Sequence, residues 1–375
     1  MTIVDEVRAL ADEISKRAQE TESLGAVPDD LARKLGALGC FQMATPKALG
    51  GQELDPITAS EVIEELARAD GSTGWTAMAL NTSYFVSWLE PDVARMMLET
   101  DPERGMAGIF APIGRAEPAG TDAVSLSGRF PFNSGSAHAS WFAEGALVTG
   151  ADGKPQWCVL FVPRGDVEIV DNWKVAGLRG TSSNDVVIDG VIVPRHHMAN
   201  LIADHPQHDA PHFRWSVFAL VGASMASFPL GVARRAIDEL VALAGSKVRG
   251  GKDSLADEQV TQLAVARSEA ALRAARCWLH DNMSSAWDTA LAGDRISEEQ
   301  RLAIHLAGQH AMRTSVEVVD AMFRLAGGSA LFEDRPLQRC WRDIHAASCH
   351  LSYADNRAAN GGRALLGRPT DWWLL

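Results

Sequence analysis

Apolar residues recur at helical spacing from the start of the chain. Val4, Val7, Leu10, Ala11 and Ile14 share one face, which predicts an amphipathic first helix. Pro28-Asp29-Asp30 has the acids of a helix N-terminus and predicts a second helix running to Leu38. The stretch ATPKALGGQELDP is a Gly/Pro-rich break. After it, TASEVIEELARAD predicts a helix with Glu61, Glu64 and Glu65 outside and Val62, Ile63 and Leu66 inside. GSTGWTAMALNTSYFVSWL follows, apolar and small-residue-rich, as a helix packed on several sides. From about residue 109 the pattern changes. Short apolar runs such as WCVLFVPRGDVEIV and NDVVIDGVIVP alternate with Gly, Pro and Asn, the signature of closely spaced strands and turns. Near residue 206 the long helical period returns, in SVFALVGASMASFPLGVARRAIDELVALA, DEQVTQLAVARSEAALRAARCWLHDNM and SEEQRLAIHLAGQHAMRTSVEVVDAMFRLAGG. The last opens on a capping signal and stops at Gly327-Gly328. The expected organisation is α+β: an N-terminal helical domain over 1–108, a central β domain over 109–205 and a C-terminal helical bundle over 206–375.

Composition narrows the function classes. With 46% hydrophobic and 22% charged residues the profile is that of a soluble globular chain. A formal net charge of -13 leaves no basic surface for a phosphate backbone, so nucleic acid is not an expected partner. No apolar run is read as a membrane span, and the charged amphipathic N-terminus is unlike a signal peptide, so a cytoplasmic protein is expected. The five cysteines are scattered with no CxxC, which fits reduced thiols and no metal site.

Four segments, in this order, resemble the acyl-CoA dehydrogenase superfamily: ATPKALGG with EVIEELARADGSTGW; SGRFPFNSGSAHASWF; GLRGTSSNDVVIDGVIVP; and RLAGGSALFEDRPLQRCWRD. The resemblance covers roughly residues 25 to 365. It implies helices around a central β-barrel or sandwich and a C-terminal four-helix bundle. Glycines and small hydroxyls in SGS and GTSS can bring N–H and O–H groups against a flat polar ring. Phe132, Ser134, Thr181 and Ser183 are the candidate contacts to an isoalloxazine. By similarity the turn at Gly327 and Gly328 would lie near flavin phosphates of a neighbouring subunit, implying a homo-oligomer, usually a tetramer. Arg249 and Lys247 could also meet a phosphate, or SKVRGGK is a solvated loop. The alternative for all these glycine-rich segments is a set of tight turns.

The sequence departs from the dehydrogenases at their catalytic base. After Arg342-Asp343 the chain reads IHAASCHLSYADN, with Leu351 about where the family's glutamate would stand and His350 just before it. Between Asp209 and Asp238 there is no Asp or Glu to serve instead. Removal of a proton next to a thioester needs such a carboxylate. RDIHAASCH resembles instead the two-component flavin-dependent monooxygenases of the same fold. There a separate reductase supplies reduced FMN or FAD, O2 adds to form a C4a-hydroperoxyflavin, and one oxygen atom passes to the substrate. Imidazole suits that chemistry, since it can give a proton to a peroxide or take one from a phenol or indole N–H.

The resemblance therefore nominates His350 as acid/base, Ser134 as the hydroxyl at flavin N5, and His345 as an orienting partner or a structural histidine. His138 matches a histidine common among hydroxylase relatives. Asn81 stands where phenol-hydroxylating relatives carry a substrate-facing His, and it cannot accept a proton at neutral pH. Trp75, Met78, Asn81, Tyr84, Phe85 and Trp88, with Phe213, Trp215 and Phe218, are candidates to line a cavity for an aromatic, fused-ring or indole-like substrate, or are plain core. Carbon, nitrogen and sulfur targets all occur on this scaffold, and a dehydrogenase with an unrecognised base is the competing reading.

Overall fold

The N-terminal helices begin where side chains satisfy free backbone donors. In the computed structural model, which describes residues 1–149, 153–248 and 254–375, α1 spans Ile3–Leu24 and opens on a Thr2–Asp5 capping box. α2 (Asp29–Ala37) follows. α3 (Pro56–Ala69) is capped by Asp55, and α4 (Gly71–Leu80) by Asp70, whose carboxylate accepts from Thr73 N at 2.9 Å. The single helix expected over 71–89 breaks at Asn81. Its amide donates to Ala77 O (2.8 Å), a carbonyl of the last turn, and the chain continues as a tighter 3-10 segment, Thr82–Trp88. α5 (Pro91–Glu99) closes the region.

The strands are β1 (Gly105–Pro118), β2 (Ala123–Asn133), β3 (Ala139–Thr149), β4 (Pro155–Pro163), β5 (Glu168–Val170), β6 (Asn184–Pro194) and β7 (Met198–Ala199). They join in one seven-stranded sheet, ordered β5-β6-β2-β1-β3-β4-β7, antiparallel except for the β1–β3 pair. The loop from β5 to β6 ends in GLRGTSS, residues 177–183. It lies between the C-terminus of α1, the start of α4 and α9 (Pro336–Ser348). Ser182 N donates to Gly25 O (2.9 Å), Gly180 N to Ser72 Oγ (3.1 Å) and Leu178 N to Asp343 Oδ1 (2.6 Å). Three distant elements thus hold one short loop.

The C-terminal bundle packs α6 (Val217–Ala244), α7 (Gln259–Leu291), α8 (Glu298–Ala326) and α9, with α10 (Asp355–Leu365) against α8. α6 is the one helix among the described residues long and apolar enough to cross a membrane, a property not expected of it from the sequence. Burial explains its composition: 67% of its most apolar window lies inside the protein, in contact with α3, α8 and α9.

One core group is out of pattern. Glu144 on β3 is fully buried among apolar residues, accepts a bond from Ile109 N (3.2 Å), and has no cationic partner among the described residues. Burial pushes its carboxyl up to about 8. The unfolded chain ionises this group above about 4.5. Stability gained by keeping it neutral is therefore present at acid pH and is lost as pH rises through about 8. Glu144→Gln should remove that slope. In denaturant titrations the variant's advantage over wild type should grow as pH rises from about 4.5 to about 8, widening by on the order of 3 kcal/mol between pH 6 and pH 9.

Candidate active site

Three of the residues nominated at the flavin, Ser134, Thr181 and Ser183, meet in one row, with Trp75, nominated for the substrate, at its end. Trp75 on α4 donates its indole N–H to Ser134 Oγ at 3.1 Å. Ser134 Oγ lies 2.7 Å from Ser183 Oγ, which lies 2.7 Å from Thr181 Oγ1, and Thr181 donates to Leu178 O at 2.9 Å. A carbonyl only accepts and an indole N–H only donates, so the ends of this row fix its direction. Each hydroxyl hydrogen points inward, from Ser134 to Ser183 to Thr181 to Leu178. Ser134, half-buried, is the accessible member, with a lone pair left outward; Ser183 and Thr181 sit buried behind it.

The backbone here is strained where the sequence gives no glycine. Phe132, Leu178 and Ser182 have φ of 62°, 55° and 42°, in the left-handed region that costs a substituted residue energy. Phe132 is 64% exposed, its ring edge-on to Trp173 at 6.1 Å. An exposed aromatic on a strained turn, beside an outward lone pair and an indole, fits the edge and face of an isoalloxazine.

His350 faces this cluster from the other side. It follows α9 and opens the 3-10 turn Leu351–Tyr353, with its ring 5.7 Å from Trp75, which itself packs edge-on to Phe228 at 5.1 Å. The histidine is exposed, with its ring packed edge-on against Trp75. Loss of hydration, helped by the Arg357 charge, pushes it down to about 4. Ser352 N donates to His350 Nδ1 at 3.2 Å. This bond assigns the neutral tautomer: Nδ1 accepts and Nε2 carries the proton. The side chain at neutral pH is a hydrogen-bond donor, and imidazolium is scarce.

The other nominated residues lie elsewhere. His345 lies on α9 whereas His350 lies past its end in extended backbone, so the two side chains reach different partners. His345 Nε2 meets Asp320 Oδ1 at 2.9 Å, a carboxylate shared with Trp341 Nε1. Asn81 has its amide committed to the backbone: Nδ2 to Cys40 O and Ala77 O, Oδ1 from Met43 N (2.7, 2.8 and 2.7 Å). Phe85 is fully buried between Tyr84 and Phe110, and Phe218 packs on Trp373 at 4.4 Å. His138 is buried beneath β3, its Nδ1 3.7 Å from Asp29, and burial pushes it down to about 4. Gly327 and Gly328 end α8, where Lys247 Nζ bonds to Ala326 O and to Ser329 Oγ (2.8 Å). Arg249 lies outside the described residues.

Sequence reasoning missed Asp343, although it belongs to a quoted motif. Its fully buried carboxyl holds Leu178 N, and burial with nearby Asp70 pushes it up to about 7. It also missed Tyr353, whose hydroxyl reaches α6 at Met225 O (2.7 Å).

Comparison with known proteins defines the class. The family model "Acyl-CoA dehydrogenase, N-terminal domain" matches residues 1–90, and "Acyl-CoA dehydrogenase, C-terminal domain" matches 223–354. The flavin-dependent monooxygenase oxygenase subunit HsaA of Rhodococcus jostii (strain RHA1) is 30% identical over 361 residues, covering 93% of this chain and 94% of that protein. An indole-3-acetate monooxygenase of Pseudomonas putida is 29% identical, covering 96% and 93%. The crystal structure of 3-HSA hydroxylase from Rhodococcus sp. RHA1 superposes with a TM-score of 0.92 at 28% identity, covering 100% and 99% of the two chains. The chain belongs to the acyl-CoA dehydrogenase superfamily, within its flavin-dependent monooxygenases, whose flavin is reduced FMN or FAD.

Proposed function

We propose that this chain is the oxygenase of a two-component system and hydroxylates an aromatic or heteroaromatic small molecule, an indole-like ring being the class that suits it best. The inward-running hydroxyl row facing a neutral His350 across Trp75 carries this reading. The relatives' activities on aromatic compounds support the substrate class. A separate reductase is the transient partner.

Bound reduced flavin supplies the two electrons with which one atom of O2 enters the substrate and the other leaves as water. The protein's contribution is binding, orientation and exclusion of water. Ser134 Oγ, with its lone pair outward, would hold the N–H at flavin N5, with Phe132 on the ring and Ser183 and Thr181 fixing the orientation of Ser134. His350 Nε2–H would donate a hydrogen bond on the substrate side of the bound ring, with Trp75 and Phe228 as an apolar wall beside it. Leu351, 60% exposed, brings no base to the neighbourhood, which disfavours thioester dehydrogenation. The functional unit is a homotetramer of the cytoplasm, with the Gly327-Gly328 turn near a neighbour's flavin phosphates.

Ser134→Ala tests this reading. With reduced FMN and an indole, H2O2 released per O2 consumed should rise several-fold while reduced flavin still binds. Unchanged coupling of flavin oxidation to product would remove Ser134 from N5.

A further inference from the structure

α6 carries a proline, Pro229, at a buried position inside the helix. Proline has no N–H, so the carbonyl four residues earlier, that of Met225, loses its helical donor. A buried carbonyl left bare is costly, and here another donor comes from outside the helix. Tyr353 Oη donates to Met225 O at 2.7 Å. The neighbouring Ser352 Oγ donates to Met225 Sδ at 3.3 Å. Two consecutive side chains of one turn therefore grip one residue of α6. The turn is the one that begins at His350. Tyr353 N donates to His350 O (2.9 Å), and Ser352 N donates to His350 Nδ1 (3.2 Å). Gln309 Nε2 on α8 closes the third side by donating to Ser352 O at 2.6 Å.

We infer that Tyr353 is a positioning residue for His350, and that Pro229 creates its anchor by leaving the Met225 carbonyl open. The proline makes a gap in the ladder of α6, the tyrosine fills it, and the filled gap fixes the turn that aims His350 at Trp75. The role of Tyr353 in the reaction rests on the function proposed for His350; the anchor itself does not. Phe228 comes just before Pro229 and packs on Trp75, so the same stretch of α6 fixes both the wall and the turn opposite it.

A double-mutant cycle on the whole chain tests the inference. Tyr353→Phe keeps the ring and removes the donor. Pro229→Ala restores a residue-229 N–H that can bond Met225 O. Tyr353→Phe alone should lower the melting temperature by several degrees, and should shift the His350 imidazole resonance, followed by NMR of histidine-labelled, flavin-free protein. In the Pro229→Ala background the same change should cost clearly less, because Met225 O keeps a donor. Product formed per reduced flavin should fall roughly 10-fold in Tyr353→Phe, the scale of a displaced catalytic group. Additive melting temperatures would overturn the role of Pro229. An unmoved His350 resonance would overturn the positioning role, even with stability reduced. Because the melting and resonance measurements need no flavin, they stand apart from the function. Coupled stability and a shifted His350, with turnover unchanged in both Tyr353→Phe and His350→Ala, would uphold the anchor and refute the catalytic reading.

Discussion

Replacing His350 by alanine is expected to cut hydroxylated product by ~10²-fold, the usual scale for loss of a proton-handling group, while leaving binding of reduced flavin largely intact. The physical basis is the tautomer. Ser352 N occupies Nδ1, so Nε2 keeps its proton and donates it as a hydrogen bond. A neutral donor does this over the whole range above its titration. Wild-type turnover should therefore show no break near 6.5, the ordinary histidine value, and should fall only as pH approaches about 4. The same displacement bears on stability. The unfolded chain binds a proton at His350 below about 6.5, which the folded chain resists down to about 4, so this contribution is complete above 6.5 and is lost on acidification. Steady-state turnover from about pH 4 to 8, with peroxide measured beside product, checks the first claim. Equal product from His350→Ala would remove the residue from the mechanism.

The second large effect is expected far from any reacting atom. Gly177 begins the GLRG turn, and a Cβ there would lie 2.0 Å from Arg342 O and 2.4 Å from Arg342 C. Both are backbone atoms of α9, so no side-chain rotation relieves the clash. Gly177→Ala must push the loop off the helix, lengthening the Leu178 N–Asp343 bond of 2.6 Å and the Arg342–Ala176 O bond of 2.9 Å. The Asp343 carboxyl would then be buried without its donor. A loss of about 3 kcal/mol is expected from overpacking of this kind, with a parallel loss of flavin affinity because Thr181 and Ser183 ride on the same loop. Gly222, a helical glycine where an added methyl would meet no atom within 4 Å, is the control. Gly222→Ala should be neutral or slightly stabilising. Denaturant unfolding and a reduced-flavin titration of both variants decide the matter; an undisturbed Gly177→Ala would mean the turn is not confined as described.

The helical periods and the run of short strands were legible because each depends on local pattern. Ser134, Thr181, Ser183 and His350 could be named because their segments resemble those of a known family, and Trp75 as an aromatic that could line a cavity; the structure brings the five side chains together. What failed was direction. His345 and His350 look alike in the sequence, yet α9 ends between them, so one stays on the helix against Asp320 and the other reaches Trp75 from the turn that follows. Asn81 reads as a cavity residue, but its three bonds to the 40s loop and Ala77 depend on contacts some forty positions away, which no local pattern reports. Phe85 and Phe218 share the ambiguity of any aromatic at helical spacing. The Tyr353–Met225 bond was hidden for the same reason, although a proline within an otherwise helical run announces that some carbonyl needs another partner.

The polarity of the hydroxyl row has a consequence for redox state. With every hydrogen committed toward Leu178 O, the opening presents electron pairs and no free hydrogen from Ser134. An incoming ring edge that bears hydrogen meets a free lone pair of Ser134; one that bears only a lone pair is served only if Ser134 turns its hydrogen away from Ser183 and gives up that bond. Dihydroflavin carries hydrogen at N5 and the oxidised form does not. With Ser134 at N5, as proposed, the row would favour the reduced cofactor over the oxidised one by about one hydrogen bond.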